Sequence, residues 1–134
     1  MNLVSIRIIT RDVKNLLEFY EQVTGIAGVK YTEDFAEIPG KSVTLAIGST
    51  RTLVFFGGDE VAKAAHNQSA IIEFMVDDVD ALYSRIAGLI QSALIQEPTT
   101  MPWGNCSLLF RDPDGNLINF FTPVSPEAVK KFSR

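Results

Sequence analysis

Little in this chain of 134 residues invites redox, metal or nucleophilic chemistry; it holds one cysteine, one histidine and one tryptophan. The lone thiol, Cys106, forms no internal disulfide and fits a reducing compartment. The lone imidazole, His66, has no Asp, Glu or Cys at a spacing that suggests a general base. No apolar run approaches the roughly 18 to 20 residues of a membrane span. Residues Met1 to Arg7 lack the basic-then-apolar pattern of a secretory leader, so a cytoplasmic location with no membrane partner is expected. Twelve Lys and Arg face sixteen Asp and Glu, a net charge of -4. Nucleic-acid binding needs clustered positive charge and is not expected. No glycine-rich loop leads from a strand into a helix, which removes dinucleotide and Walker-type phosphate sites. No nucleophile–base–acid pattern is present either.

What the chain does have is an ordinary globular composition, 46% hydrophobic and 21% charged, and a faint internal repeat. The stretch from Val4 to Val13 recurs 66 residues later as Ala70 to Val79. Each copy alternates like a strand, turns at an aspartate and enters a helical apolar pattern: Leu16, Leu17 and Tyr20 in the first, Leu82, Tyr83 and Ile86 in the second. Asp12 and Asp77 or Asp78 stand where N-caps belong, and Gly25 and Gly88 where the helices should stop. Extended segments follow at 29–32, 42–47 and 52–56 in the first copy, and at 94–97, 107–111 and 117–121 in the second. The turn Asp112-Pro113-Asp114-Gly115-Asn116 joins the last two.

The expected architecture is therefore α+β: one domain, 1–134, built of two tandem βαβββ modules. The first module is 3–56, a linker spans 57–69, the second module is 70–123, and 124–134 is a tail. Parity assigns Ile6, Ile8, Val54, Phe56, Ile72, Phe74, Ile118 and Phe120 to the helix-covered faces. The opposite faces carry Ser5, Arg7, Ile9, Leu53, Phe55, Ile71, Glu73, Met75, Leu117, Asn119 and Phe121. That mixture of large apolar groups with a few polar ones suits a ligand pocket or a subunit interface.

At this point the chain resembles the vicinal-oxygen-chelate superfamily of glyoxalases, bleomycin-resistance proteins and extradiol dioxygenases. Its marks are the Asp12 to Gly25 segment with Phe19-Tyr20, the Phe74 to Asp80 segment, and Trp103-Gly104 followed by Phe110 to Asn116. The resemblance implies a curved eight-stranded mixed-sheet cup with helices outside, often dimeric, so a homodimer is expected. In metal-dependent members the ligands come from the first and last strand of each module. Those positions fall here on Ser5, Phe55, Ile71 and Asn119. Ile71 and Phe55 have no donor atom, and a hydroxyl and a neutral amide are poor ligands for Zn, Fe or Mn.

The reading that follows is a small-molecule binding protein of the bleomycin-resistance kind, with no metal, no cofactor and no catalytic residue. Its ligand is expected to be partly aromatic or cationic. Trp103 is the candidate stacking ring. Arg7 and Glu73, equivalent in the repeat, are either a buried ion pair or ligand contacts. Asn119 and Ser5 supply polar contacts, and Phe55 and Phe121 apolar surface. Two alternatives stand beside it: a metal-dependent lyase, isomerase or dioxygenase with atypical ligands, and a structural or regulatory relative. Cys106 reads as a small buried hydrophobe.

Overall fold

The computed structural model describes residues 1–133. Its elements run β1 (Ser5–Thr10), α1 (Val13–Thr24), β2 (Val29–Thr32), β3 (Phe35–Ile38), β4 (Thr44–Ser49), a 3-10 segment (Thr50–Phe56), β5 (Ile71–Met75), α2 (Val79–Ile90), β6 (Leu94–Thr100), β7 (Asn105–Arg111), β8 (Leu117–Pro123) and α3 (Pro126–Phe132). The chain divides into two compact units, 1–67 with 113–115, and 68–112 with 116–133. Each holds one four-stranded mixed sheet, in the orders β1-β4-β3-β2 and β5-β8-β7-β6. The repeat is thus a structural one. In both copies the first strand pairs in parallel with the last, Arg7 opposite Ala46 and Glu73 opposite Asn119.

In the first unit Asp12 caps α1, its carboxylate accepting from Asn15 N at 3.0 Å. Gly25 ends the helix in the left-handed region at φ 71°. Val13, Leu16, Leu17, Tyr20 and Val23 are buried along one face of α1, together with Ala36, Ile38, Leu45 and Ile47 from the sheet. Each fully buried Val, Leu or Ile among them contributes about 1.5–3 kcal/mol.

The second unit repeats the plan. Asp78 caps α2 by accepting from Ala81 N at 3.1 Å. Phe120 meets Phe74 and Phe110 edge to face, with centroids 5.4 and 5.1 Å apart. Val79, Ile86, Ile90, Leu108 and Ile118 are buried with them. Between β7 and β8 the Asp112 carboxylate accepts from Asn116 N at 2.9 Å and from Asn116 Nδ2 at 2.7 Å. Gly115 takes φ 85°. The Asp-Pro-Asp-Gly-Asn motif is a clamped turn.

Three local expectations are corrected. Residues 52–56 form no strand: Thr50–Phe56 is a 3-10 segment anchored by buried Leu53. Thr52 Oγ1 donates to Ser49 O at 2.7 Å, and Gly57 caps the end at φ 109°. Val54 and Phe56, assigned to the helix-covered face, are exposed, as is Ile6. The missing strand is β3, which turns back from β2 after only Glu33-Asp34. Finally, α2 runs through Gly88 to Ile90; a Cβ at Gly88 would meet nothing within 4 Å.

Candidate ligand-binding faces

Cross-strand register puts Glu73, Asn119 and Leu109 in one row on one face of the second sheet, with Met75, Phe121 and Ser107 in the next and Asn105 beyond. This is the face opposite α2. Asn119 Nδ2 donates to Glu73 Oε2 at 2.8 Å. The amide is thereby oriented: its Oδ1 points away and has no hydrogen-bond partner, although Asn119 is only 8% exposed. Ser107 Oγ, in a residue 2% exposed, and Asn105 Oδ1 are also buried without a partner. Three unsatisfied polar atoms on one sheet face are unusual, because buried polar groups are nearly always paired. Phe121 supplies the apolar ground beside them, and its ring meets Phe132 of α3 at 5.1 Å.

The first unit presents a different face. Arg7, on the side of β1 away from α1, lays its guanidinium 4.7 Å from the Phe35 ring centre and 5.4 Å from that of Phe56. Such contacts contribute about 0.5–1 kcal/mol when exposed. Gly48 leaves room for the arginine stem, since a Cβ there would stand 3.3 Å from Arg7 Cδ. Tyr31 lies 5.8 Å from Phe35. Its hydroxyl's interaction with the Glu37 carboxylate, followed by the Glu37 charge, holds the phenol above its ordinary pKa.

The candidate residues are therefore distributed. Glu73, Asn119 and Phe121 share one face. Ser5 and Arg7 share the other, Ser5 being exposed at the start of β1. Arg7 and Glu73 are both exposed, and each has a partner within its own unit. Phe55 is 83% exposed on the 3-10 segment and lies on no strand. Trp103 is 65% exposed in the turn before β7. Asn105, which opens that strand, is already about 13 Å from Leu109, the neighbour of Asn119, at about 3.3 Å per residue. Cys106 is buried, and burial first, then the Asp80 charge, raises its thiol pKa. The chemistry missed from sequence is Phe35, Tyr31, Glu37, Asn105 and Ser107. The alternation of Cys106 to Phe110 held the signal for Ser107, which register pairs with Phe121.

Register also revises the metal positions. Asn119 lies opposite Glu73, so its first-unit counterpart, opposite Arg7, is Ala46 and not Phe55. Ser5, Ala46, Ile71 and Asn119 offer one hydroxyl and one amide, a donor set that does not fit a divalent Zn, Fe or Mn ion. Among the described residues no three His, Cys, Asp or Glu side chains are grouped to hold a metal. No helix there is long and apolar enough to cross a membrane.

Comparison with known proteins adds to this geometry. The model of the Glyoxalase/Bleomycin resistance protein/Dioxygenase superfamily matches residues 2–120. The uncharacterized protein YraH of Bacillus subtilis (strain 168) is 25% identical over 125 residues, 90% of this chain and 98% of its own. A glyoxalase/bleomycin resistance protein/dioxygenase family enzyme from Burkholderia phytofirmans PsJN superposes with a TM-score of 0.80 at 19% identity, over 92% of this chain and all of its own. A protein of unknown function from Agrobacterium tumefaciens str. C58 gives 0.77 at 24% identity, over 92% and 95%.

Proposed function

The chain belongs to the glyoxalase/bleomycin resistance protein/dioxygenase superfamily, and we propose that it binds a small, cationic and partly aromatic molecule on the second sheet without the usual metal. The observation that carries this reading is the set of buried oxygens lacking a donor, Asn119 Oδ1, Ser107 Oγ and Asn105 Oδ1. A buried acceptor without a donor costs about 1–3 kcal/mol, which a ligand N–H returns on binding. Asn119 and Ser107 are diagonal neighbours across β7 and β8, about 7–8 Å apart. One amine or amidinium reaches either of them directly. Glu73 adjoins Asn119 and supplies the negative charge that favours a cation. Phe121, buried with its ring against Phe132, supplies apolar contact beside them for an aromatic portion. Arg7, held between two rings on the other unit, has the wrong sign for such a ligand and is left out of this site.

The test is a thermal-shift screen of amines, amidines and aromatic acids of similar size, since a ligand selective for the folded state raises Tm. Cationic aromatics are expected among the hits. Glu73→Gln should weaken them about tenfold, the effect of about 1.4 kcal/mol, and Asn119→Leu should abolish them. Hits confined to anions, or binding that needs an added divalent metal and ignores both substitutions, would overturn the proposal.

A further inference from the structure

The first unit contains a cavity of about 350 Å³ lined by Arg11, Thr50, Leu53, Asp59, Ala62, Lys63, Ala64 and His66. That volume lies within the range of small-ligand pockets, roughly 300–1,000 Å³. It belongs neither to the sheet face carrying Arg7 nor to the second unit, and no part of the proposed function uses it. Its floor is apolar, with Leu53 and Ala64 buried, while Arg11, Lys63, His66 and Asp59 are exposed around it.

Two observations set it apart from an ordinary surface hollow. Among the described residues, none of the side chains of Arg11, Asp59, Lys63 and His66 makes a hydrogen bond or ion pair with the protein. On an acidic chain of net charge -4, two permanent cations and the one imidazole converge on a single cavity without a carboxylate bound to them. The backbone is also held in an uncommon conformation there. Ala65, between buried Ala64 and His66, takes φ 59°, the one non-glycine residue with positive φ among those described. Strained backbone of this kind persists where surrounding structure fixes it, and it concentrates at ligand sites.

We propose that this cavity binds the phosphoryl group of a small phosphorylated molecule. A guanidinium fork, an ammonium, an imidazole N–H and the Thr50 hydroxyl offer more donors than two carboxylate oxygens accept in one place, and they suit the three terminal oxygens of a phosphate monoester. Lys contributes as a point charge and Arg through paired N–H groups. Asp59, at the same cavity, is placed to accept from a hydroxyl on the remainder of the ligand. The site does not depend on the proposed amine site, because every residue in it lies in the first unit.

The test uses the full chain and inorganic phosphate, with acetate and chloride at matched ionic strength as competitors, followed by amide and imidazole NMR shifts. Phosphate is expected to move signals from residues 50–66 and of Arg11 saturably, and acetate and chloride are not. Lys63→Gln should weaken phosphate at least fivefold and Arg11→Gln at least tenfold. Lys41→Gln, which removes the same charge from an exposed turn, should leave it unchanged. Arg11 adjoins the cap of α1, so Lys63→Gln, in an irregular segment, carries the test if Arg11→Gln disturbs the fold. Equal shifts with acetate or chloride, or phosphate affinity indifferent to Lys63→Gln, would overturn the assignment.

Discussion

Replacing Gly104 by alanine should loosen the C-terminal helix from the second sheet. Gly104 takes φ 92°, and a Cβ there would overlap Ser125 Oγ, come within 2.6 Å of Ser125 Cβ and lie 3.2 Å from Ala128 Cβ. Ser125 is fixed from three sides. Its hydroxyl accepts from Ala128 N at 3.1 Å, capping α3. Its own N–H and that of Val124 both donate to Gly104 O, at 3.0 and 2.8 Å. Forcing alanine to positive φ costs about 1–2 kcal/mol. Losing the cap costs about 1 kcal/mol, and weakening one of the two backbone bonds about 1 kcal/mol. The sum is about 3–4 kcal/mol, or roughly 10 °C in Tm for a chain of this length. Gly115→Ala is the matched control, since Gly115 sits at φ 85° with nothing within 4 Å of its Cβ. It should lose only the conformational part. Urea unfolding followed by circular dichroism, with slopes compared to confirm an unchanged transition, measures both. A difference between the two variants under about 0.5 kcal/mol would show that Ser125 moves aside freely and that the packing argument is wrong.

Two further outcomes follow from the titrating groups. Burial and the Asp80 charge raise the Cys106 thiol, so at pH 7.5 native protein should react with a disulfide reagent at least tenfold more slowly than urea-unfolded protein; equal rates would refute this. Asp34 accepts from Ser49 Oγ at 2.8 Å and from Arg51 Nε at 2.6 Å, and these bonds, Ser49 first, lower its carboxyl pKa. A lowered folded pKa contributes stability above about pH 3.9 that is lost as pH falls through the folded value. Arg51→Gln should therefore move the Asp34 carbon-13 titration upward, and an unchanged titration would show that Arg51 is not a determinant.

Family, module plan and helix caps were legible in the sequence because each rests on local chemistry. Asp12 and Asp78 cap as expected, and alternation in β5 and β8 placed Glu73, Asn119 and Phe121 on one face. The failures share a cause. Thr52 to Phe56 has every strand-forming preference, yet β4 already occupies the position beside β1, and the following glycines fold the segment into a 3-10 turn. Phe35 to Ile38 is only four residues, separated from β2 by two, and reads as part of a loop. Misplacing that one strand moved the repeat alignment from Ala46 to Phe55 and hid the ring under Arg7. The partnerless state of Asn119 Oδ1 and Ser107 Oγ belongs to side-chain geometry, which periodicity does not encode. The cationic cavity joins Arg11 to residues 50–66, a proximity set by tertiary folding.

The parallel pairing of first and last strands has a consequence for how the chain acquires its structure. In both sheets the last strand lies inside, β4 between β1 and β3, and β8 between β5 and β7. The opening strand of each module therefore has no ladder partner within its own sheet until the whole module exists. Ser5 waits for Thr44, and Ile71 for Leu117. Contacts at such separation make folding slow relative to a hairpin or helical bundle, because the loop must close before any bond rewards it. During synthesis each module condenses only as its final strand emerges, and a truncation that removes β8 leaves β5 with no ladder partner and β7 paired with β6 alone.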